Sequence, residues 1–121
     1  SNRAMTAAKK GVYELPDTIP PDWKKKYFIP HSGCQYQVAP RVRDNVIFQP
    51  FNLMDPIKFR RKFDVIFCRN VMIYFDQPTK DALVRRFYDA TAPGGYLLIS
   101  KSENLSANMP YRRLAPSTFQ K

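Results

Sequence analysis

The sequence predicts an α/β domain in which helices cover a mostly parallel sheet. The first observation is an unbroken apolar run at residues 65–68, which is typical of a strand buried on both faces. The second is the strand-like segment YLLIS at residues 96–100, separated from the first by a helical pattern. Because a strand, a helix and another strand form a parallel crossover unit, these segments together indicate the sheet.

Length and charge limit what this domain can be. The 121 residues suffice for one domain at most, but they are few for a complete doubly wound α/β enzyme. The formal net charge is +10, so we expect the surface to attract an acidic partner. Charge alone does not distinguish an acidic protein from an anionic lipid or a nucleic acid.

The cysteines and the histidine indicate the compartment and the type of site. Two cysteines are too few for a disulfide framework, and Cys68 lies in an apolar run where a reduced thiol fills the core. We therefore predict that Cys34 and Cys68 are free thiols and that the protein is cytoplasmic. One histidine and two cysteines also argue against a metal site. No apolar stretch approaches the roughly 20 residues of a membrane span.

The first half of the chain is predicted to contain two short helices and a small antiparallel β excursion. The first helix ends at Gly11, and a second, basic helical turn is capped by Asp22. The β excursion covers residues 27–45, where alternating segments are separated by proline and glycine. Residues 46–51 are then predicted to form a core strand.

The second half is predicted to contain the crossover helix and a terminal hairpin. Asp76 or Thr79 caps the helix, and a hairpin occupies the residues after Ala107. The helix has an apolar stripe and a basic outer face. The stripe is Ala82, Leu83, Phe87 and Ala90, and the outer face is Lys80, Arg85 and Arg86.

Polar residues follow each predicted core strand. In open α/β sheets, ligands bind beyond the carboxyl ends of the strands, so these residues are site candidates. They are Asn52, Arg69, Asn70, Lys101, Ser102 and Glu103. The alternative is that Asn52 caps a turn and that Arg69 and Asn70 only turn the chain.

Several segments together resemble the CheR-type methyltransferases, which modify glutamates of chemotaxis receptors. They are FDVIFCRNVMIYFD, PGGYLLISKSENL, YRRLAPSTFQK, the NL of FNLMD, and AKKGVY near the start. The resemblance covers most of the chain, and CRNVMIYF is its most specific part. It implies a partial Rossmann-like methyltransferase sheet, the last strands of a seven-stranded, mostly parallel fold whose last strand is antiparallel. Residues 27–45 correspond to a β-subdomain-like insertion.

The resemblance also implies a reaction and a site. The cofactor is S-adenosylmethionine, and the methyl acceptor is a receptor glutamate side chain. Asn52 and Leu53 are implied on the adenine side, Arg69 and Asn70 beside the cofactor, and Tyr74 near the transferred methyl group. The implied partner is a methyl-accepting chemotaxis receptor, through acidic helical segments and, in some members, a C-terminal peptide bound by the β-subdomain.

The family's first strand and the acidic residue that binds the ribose hydroxyls have no counterpart in this sequence. The resemblance therefore implies that residues 1–121 are the C-terminal portion of the catalytic domain, with an incomplete cofactor site, weak or no cofactor binding, and no activity alone. Without the first two strands, one edge of residues 64–68 would be unpaired, so we also expect self-association. Lys101 stands where many members carry histidine.

Two other functions stay open. One is a receptor-binding module without catalysis, which would use the β excursion and the basic surface. The other is a nucleic-acid-binding domain, which rests only on the charge and the aromatic content. No RNP, zinc or helix-turn-helix signature supports it, so we do not expect nucleic acid as a partner.

Overall fold

A computed structural model describes residues 2–121, and the chain divides after Pro50 into two compact units. The first unit holds a three-stranded antiparallel sheet and three short helices. In chain order its elements are α1 (Asn2–Lys10), β1 (Val12–Glu14), α2 (Pro21–Tyr27), β2 (Phe28–Pro30), β3 (Gln35–Val38) and α3 (Pro40–Arg43). The sheet order is β1-β3-β2, so β3 is central. Strands β2 and β3 fall within residues 27–45, whereas β1 precedes them.

The structure corrects two expectations for the first half of the chain. Asp22 does not cap α2, because the helix begins at Pro21 and Pro20 occupies the capping position without a side-chain bond. Residues 46–51 form no strand. The Val46 N–H donates instead to the Arg43 carbonyl, and Ile47 is 87% exposed. A strand needs a neighbour to pair its backbone groups, and no described strand runs beside this segment.

The second unit, Phe51–Lys121, is an α/β unit with a four-stranded mixed sheet. Its elements are β4 (Phe63–Cys68), a 3₁₀ helix (Met72–Tyr74), α4 (Gln77–Ala90), β5 (Thr91–Ile99), β6 (Arg112–Ala115) and β7 (Thr118–Gln120). The order is β4-β5-β7-β6, with β4 parallel to β5 and the other pairs antiparallel. The α/β class and the terminal hairpin are therefore confirmed.

Helix α4 is the crossover between β4 and β5, and its apolar face forms the core with the sheet. The buried residues of this layer are Leu83, Val84 and Phe87 of the helix and Leu97, Ile99 and Phe119 of the strands. Fully burying each such side chain stabilises the fold by about 1.5 to 3 kcal/mol. The predicted stripe was wrong at Ala82, which is exposed, because Val84 faces the sheet instead.

Strand β4 is buried less than its sequence indicated. Cys68 is buried, but Val65 is 43% exposed and Phe67 is 71% exposed. Val65 and Phe67 lie on one face of β4 and Cys68 lies on the other, so one face of the strand is left uncovered by the described residues. Of the described strands, β5 alone pairs with β4. The prediction of a strand buried on both faces was therefore wrong, whereas the predicted unpaired edge is present.

Strand β5 begins earlier than predicted because it runs through a glycine pair. The register with β4 shifts between the pair of Phe63 with Thr91 and the pair of Val65 with Tyr96. A Cβ at Gly95 would lie 2.7 Å from the Thr91 methyl group and 2.9 Å from the Asp64 carbonyl oxygen. Only glycine therefore lets the two strands approach this closely.

The start of α4 is fixed by Asp76. Its Oδ1 accepts a hydrogen bond from the Thr79 N–H at 2.9 Å, so Asp76 is the cap and Thr79 is the donor. Hydrogen bonding by the side chain and the backbone N–H of Thr79 lowers the pKa of Asp76. A carboxyl group with a lowered pKa in the folded state stabilises the fold at neutral pH and loses that contribution as the pH falls through the lowered pKa.

We predict that Asp76→Ala lowers the free energy of unfolding at pH 7, because α4 loses its cap. Asp76→Asn is the matched control, since an asparagine oxygen also accepts the bond. Urea titrations should show a larger loss in the alanine variant than in the asparagine variant, and the difference between the alanine variant and the unmodified chain should shrink in acid. An equal loss in both variants would contradict a capping role.

Candidate functional site

The carboxyl ends of β4 and β5 lie at one edge of the sheet. The two strands are parallel, and Cys68 pairs with Ile99. The residues that follow, Arg69 and Ser100, therefore leave the sheet side by side. This is the edge at which open α/β sheets bind ligands.

An apolar cavity of about 320 Å³ opens beside β4. Five phenylalanines line it, together with Leu53, Cys68 and Arg69, and Arg69 is the one charged residue in that lining. Such a site suits a flat, mostly apolar group that carries polar substituents. The structure thus brings together Leu53 and Arg69, which are 16 positions apart in the chain.

The other site candidates from the resemblance lie outside this cavity. Asn52 and Asn70 are exposed, and Tyr74 is 82% exposed at the end of the 3₁₀ helix. Asn52 Oδ1 accepts a hydrogen bond from the Met54 N–H at 3.0 Å, which is the turn-capping role that the sequence left open. Asn70 has a φ of 61°, so it turns the chain directly after β4.

Sequence reasoning missed the role of Arg86 in the site. It placed Arg86 on the outer face of α4, but the side chain is half-buried and its Nη2 donates to the Leu53 carbonyl. Its Nε is buried and has no hydrogen-bond partner among the described protein atoms. Arg86 therefore holds the Leu53 segment against α4. The only signal in the sequence is that Arg86 adjoins Phe87 at the border of the apolar stripe.

A second group that the sequence underrated lies where β5 ends. Glu103 is 4% exposed, and its Oε2 accepts a bond of 3.4 Å from the Ser100 N–H. Its Oε1 is buried without a partner among the described protein atoms. Lys101 and Ser102 are exposed, and the Ser102 hydroxyl lies 3.2 Å from that of Ser100.

The Cys68 thiol at the end of β4 is unreactive. Burial and, to a smaller extent, the negative charge of Glu103 raise the pKa of Cys68 to about 11. A thiol with such a pKa stays protonated near neutral pH and is a poor nucleophile. Cys34 is exposed, and both cysteines are free thiols.

Among residues 2–121, no group of three or more histidine, cysteine, aspartate or glutamate side chains could hold a metal ion. Every helix in that range is too short or too polar to span a bilayer.

A mixed sheet with a parallel pair, a crossover helix and an apolar cavity along β4 defines an α/β unit with a candidate ligand site. The family model described as "CheR methyltransferase, SAM binding domain" matches residues 1–120. The chain therefore belongs to the CheR methyltransferase family, whose cofactor is S-adenosylmethionine (SAM).

Curated relatives agree with this assignment. The chain is 37% identical over 120 residues to a chemotaxis protein methyltransferase of Borreliella burgdorferi, covering 97% of this chain and 42% of the relative. It is 36% identical over 113 residues to chemotaxis protein methyltransferase 1 of Pseudomonas aeruginosa, with coverages of 91% and 41%. It is 40% identical over 111 residues to the chemotaxis protein methyltransferase of Klebsiella aerogenes, with coverages of 86% and 38%. The chain thus spans about two fifths of these relatives.

We predict that Arg86→Ala lowers the free energy of unfolding by about 1 to 2 kcal/mol, because the Leu53 carbonyl loses a charged donor. Arg85→Ala is the matched control: it removes the same charge from an exposed neighbour and should change stability by less than about 0.5 kcal/mol. Denaturant titrations give the stabilities, and amide spectra should show shifts at residues 52–54 only for Arg86→Ala. Equal effects of the two changes would show that Arg86 does not anchor this segment.

Proposed function

We propose that this chain is part of the catalytic domain of a SAM-dependent methyltransferase that modifies glutamate side chains of chemotaxis receptors. Family membership and the names of the relatives support the reaction class. The observation that carries the proposal is the meeting of Leu53 and Arg69 in one apolar cavity that runs along β4. In this proposal, β4 to β7 are the last four strands of the seven-stranded family sheet, and residues 27–45 belong to the β-subdomain.

The residues around the cavity fit the chemistry of the cofactor. Its adenine ring is flat and largely apolar, and a cavity of about 320 Å³ lined by phenylalanines can take such a ring. Leu53 would pack against the adenine. The Arg69 guanidinium would donate hydrogen bonds to the carboxylate of the cofactor. Asn52 and Asn70 would supply amide groups at the polar rim.

The chain's own task in the reaction is to position the methyl acceptor. When bound, SAM supplies an activated methyl group on a sulfonium. Transfer to a carboxylate is an in-line displacement in which both charges diminish, so the protein must align and desolvate the glutamate rather than provide a strong base. We assign the alignment to Tyr74, whose exposed hydroxyl can donate a hydrogen bond to the acceptor carboxylate.

The proposed partner is a chemotaxis receptor with acidic helical segments. The net charge of +10 supports long-range attraction to such segments. In the first unit, Lys24, Lys25, Phe28 and Tyr36 line a separate cavity of about 390 Å³ next to the edge strand β2. An acidic C-terminal receptor peptide could pair with that edge as an added strand. We also propose a cytoplasmic location, which two free thiols support.

We predict that the chain binds SAM weakly and that binding shifts the amide resonances of Leu53 and Arg69. Arg69→Ala should weaken binding about tenfold, because a charged hydrogen-bond donor is lost. Arg61→Ala removes an equal charge from an exposed residue that does not line the cavity, so it should bind normally. Heteronuclear NMR titrations give the affinities. If shifts map away from this cavity, the proposed cofactor site is wrong.

We also predict that the chain self-associates through the unpaired edge of β4, which presents backbone groups beside exposed Val65 and Phe67. Phe67→Lys places a charge at this edge and should shift the population toward monomer. The control is Ile47→Lys, which changes another highly exposed apolar residue, in the first unit. Light scattering at several concentrations measures the effect. A concentration-independent monomer would refute edge pairing.

A further inference from the structure

Strand β6 forms a positively charged edge of the second sheet. The order β4-β5-β7-β6 places it at the end opposite to β4, and β7 is its one neighbour among the described strands. All four residues of β6 are exposed. Residues 104–121 include Arg112, Arg113 and Lys121 but no aspartate or glutamate. This edge therefore presents unpaired backbone groups within a basic surface.

A cavity of about 260 Å³ lies against the same edge. Its large apolar residues are buried or half-buried, and they are Leu105, Met109, Tyr111 and Phe119. Its polar residues are Asn104, Ser106 and Arg113, of which Arg113 alone is charged. Because Arg113 is paired across the ladder with Phe119, the cavity lies on the face of the sheet that bears these two side chains.

The loop that lines this cavity is fixed to α4 by hydrogen bonds. Ser106 Oγ donates to Asp81 Oδ1 at 2.9 Å. Gln77 Nε2 donates to Ser106 Oγ at 2.7 Å and to Asp81 Oδ1 at 2.8 Å. These bonds occupy the Asp81 carboxylate and hold the loop in place, so the cavity is formed before a ligand arrives.

The two arginines of β6 differ in their contacts. Arg112 Nη2 donates to Gln120 Oε1 at 2.7 Å, whereas no described residue forms a hydrogen bond or an ion pair with the Arg113 side chain. The exposed Arg113 guanidinium is therefore available to a ligand. Its planar set of donors matches the two oxygens of a carboxylate.

We propose that β6 and this cavity bind an extended, acidic segment of a partner protein as an added strand. Backbone pairing with β6 aligns the segment, and an apolar side chain on the same face as Arg113 enters the cavity. A carboxylate on that face pairs with Arg113. The two arginines also disfavour a second copy of the chain as the occupant, because pairing β6 with β6 would bring like charges together.

This site goes beyond the proposed function. It shares no lining residue with the cavity beside β4. The receptor peptide discussed above was assigned instead to β2, which belongs to the first unit. The two assignments can therefore fail independently.

The probe is a synthetic peptide whose pattern follows from strand geometry. Side chains two positions apart in an extended segment point to the same face. We therefore choose a heptapeptide with blocked ends that has glutamate at its second and sixth positions, leucine at its fourth and threonine elsewhere. One control peptide has lysine in place of both glutamates, and another has serine in place of leucine. Two further versions are N-methylated at either the odd or the even positions.

The experiment is an NMR titration of the unmodified chain and three variants with these peptides. Arg113→Glu reverses the charge in the cavity lining, and Arg113→Gln only removes it. Arg85→Glu is the matched control, because it reverses the charge of an exposed residue of α4 that does not line the cavity. Unfolding curves first establish that each variant is folded.

We expect the acidic peptide to shift the amide resonances of residues 104–106, Arg113 and Phe119, and to bind less tightly as salt is added. Arg113→Glu should weaken binding about tenfold and Arg113→Gln by a smaller factor, whereas Arg85→Glu should bind normally. The lysine and serine peptides should bind more weakly. One N-methylated peptide should lose binding and the other keep it, because only alternate N–H groups face the neighbouring strand.

Several results would overturn the inference. They are an absence of binding by the unmodified chain, shifts confined to the first unit or to β4, binding of either control peptide as tight as that of the acidic one, and equal effects of Arg113→Glu and Arg85→Glu. Equal behaviour of the two N-methylated peptides would contradict strand addition. The same shifts on concentrating the chain without peptide would identify a second copy as the occupant. None of these results bears on the proposed cofactor site.

Discussion

The packing of α4 against β5 is the constraint on which the second unit depends. Leu83, Val84 and Phe87 can be buried only if the helix lies across the sheet, and this placement makes β5 return parallel to β4. Parallel pairing then brings the carboxyl ends of both strands to one edge. The helix also carries Arg86, so the same packing fixes Leu53 beside the cavity. Core and candidate site are thus consequences of one helix orientation.

The sequence predicted correctly those features that depend on residues close together in the chain. The start of α4 depends on Asp76 and Thr79, three positions apart, and the terminal hairpin depends on adjacent strands, so neighbouring residues sufficed for both. The strand expected at residues 46–51 failed because a strand is defined by its neighbour, which no local pattern reveals. The burial of β4 failed for the same reason. Its apolar run is compatible with two covered faces, but the number of covered faces depends on the segments that pack above and below the sheet.

The residues of the candidate site also fall into two groups: those whose place the sequence indicated and those whose contacts it did not predict. Leu53 and Arg69 were found through the family motifs, and their shared cavity agrees with a common role. Arg86 and Glu103 act through contacts with distant or turned segments, so their residue types alone predicted a solvated cation and a polar rim residue. Both are half or fully buried, with a nitrogen or oxygen atom unpaired among the described protein atoms. Unpaired polar atoms mark Arg86, which the sequence placed on the outer face of α4, and Glu103, whose burial the sequence did not predict.

The left-handed backbone at Asn70 changes what the identity of that residue means. At a φ of 61°, most side chains are strained, and asparagine and glycine are the residues that adopt this conformation most readily. An asparagine would therefore be favoured at this turn even if its amide touched nothing. Its presence in the CRN motif is thus explained by backbone geometry alone, whether or not its amide has the proposed role at the cofactor site. Glycine at this position would keep the geometry and delete the amide, so this one substitution would separate the folding role of the residue from any role in binding.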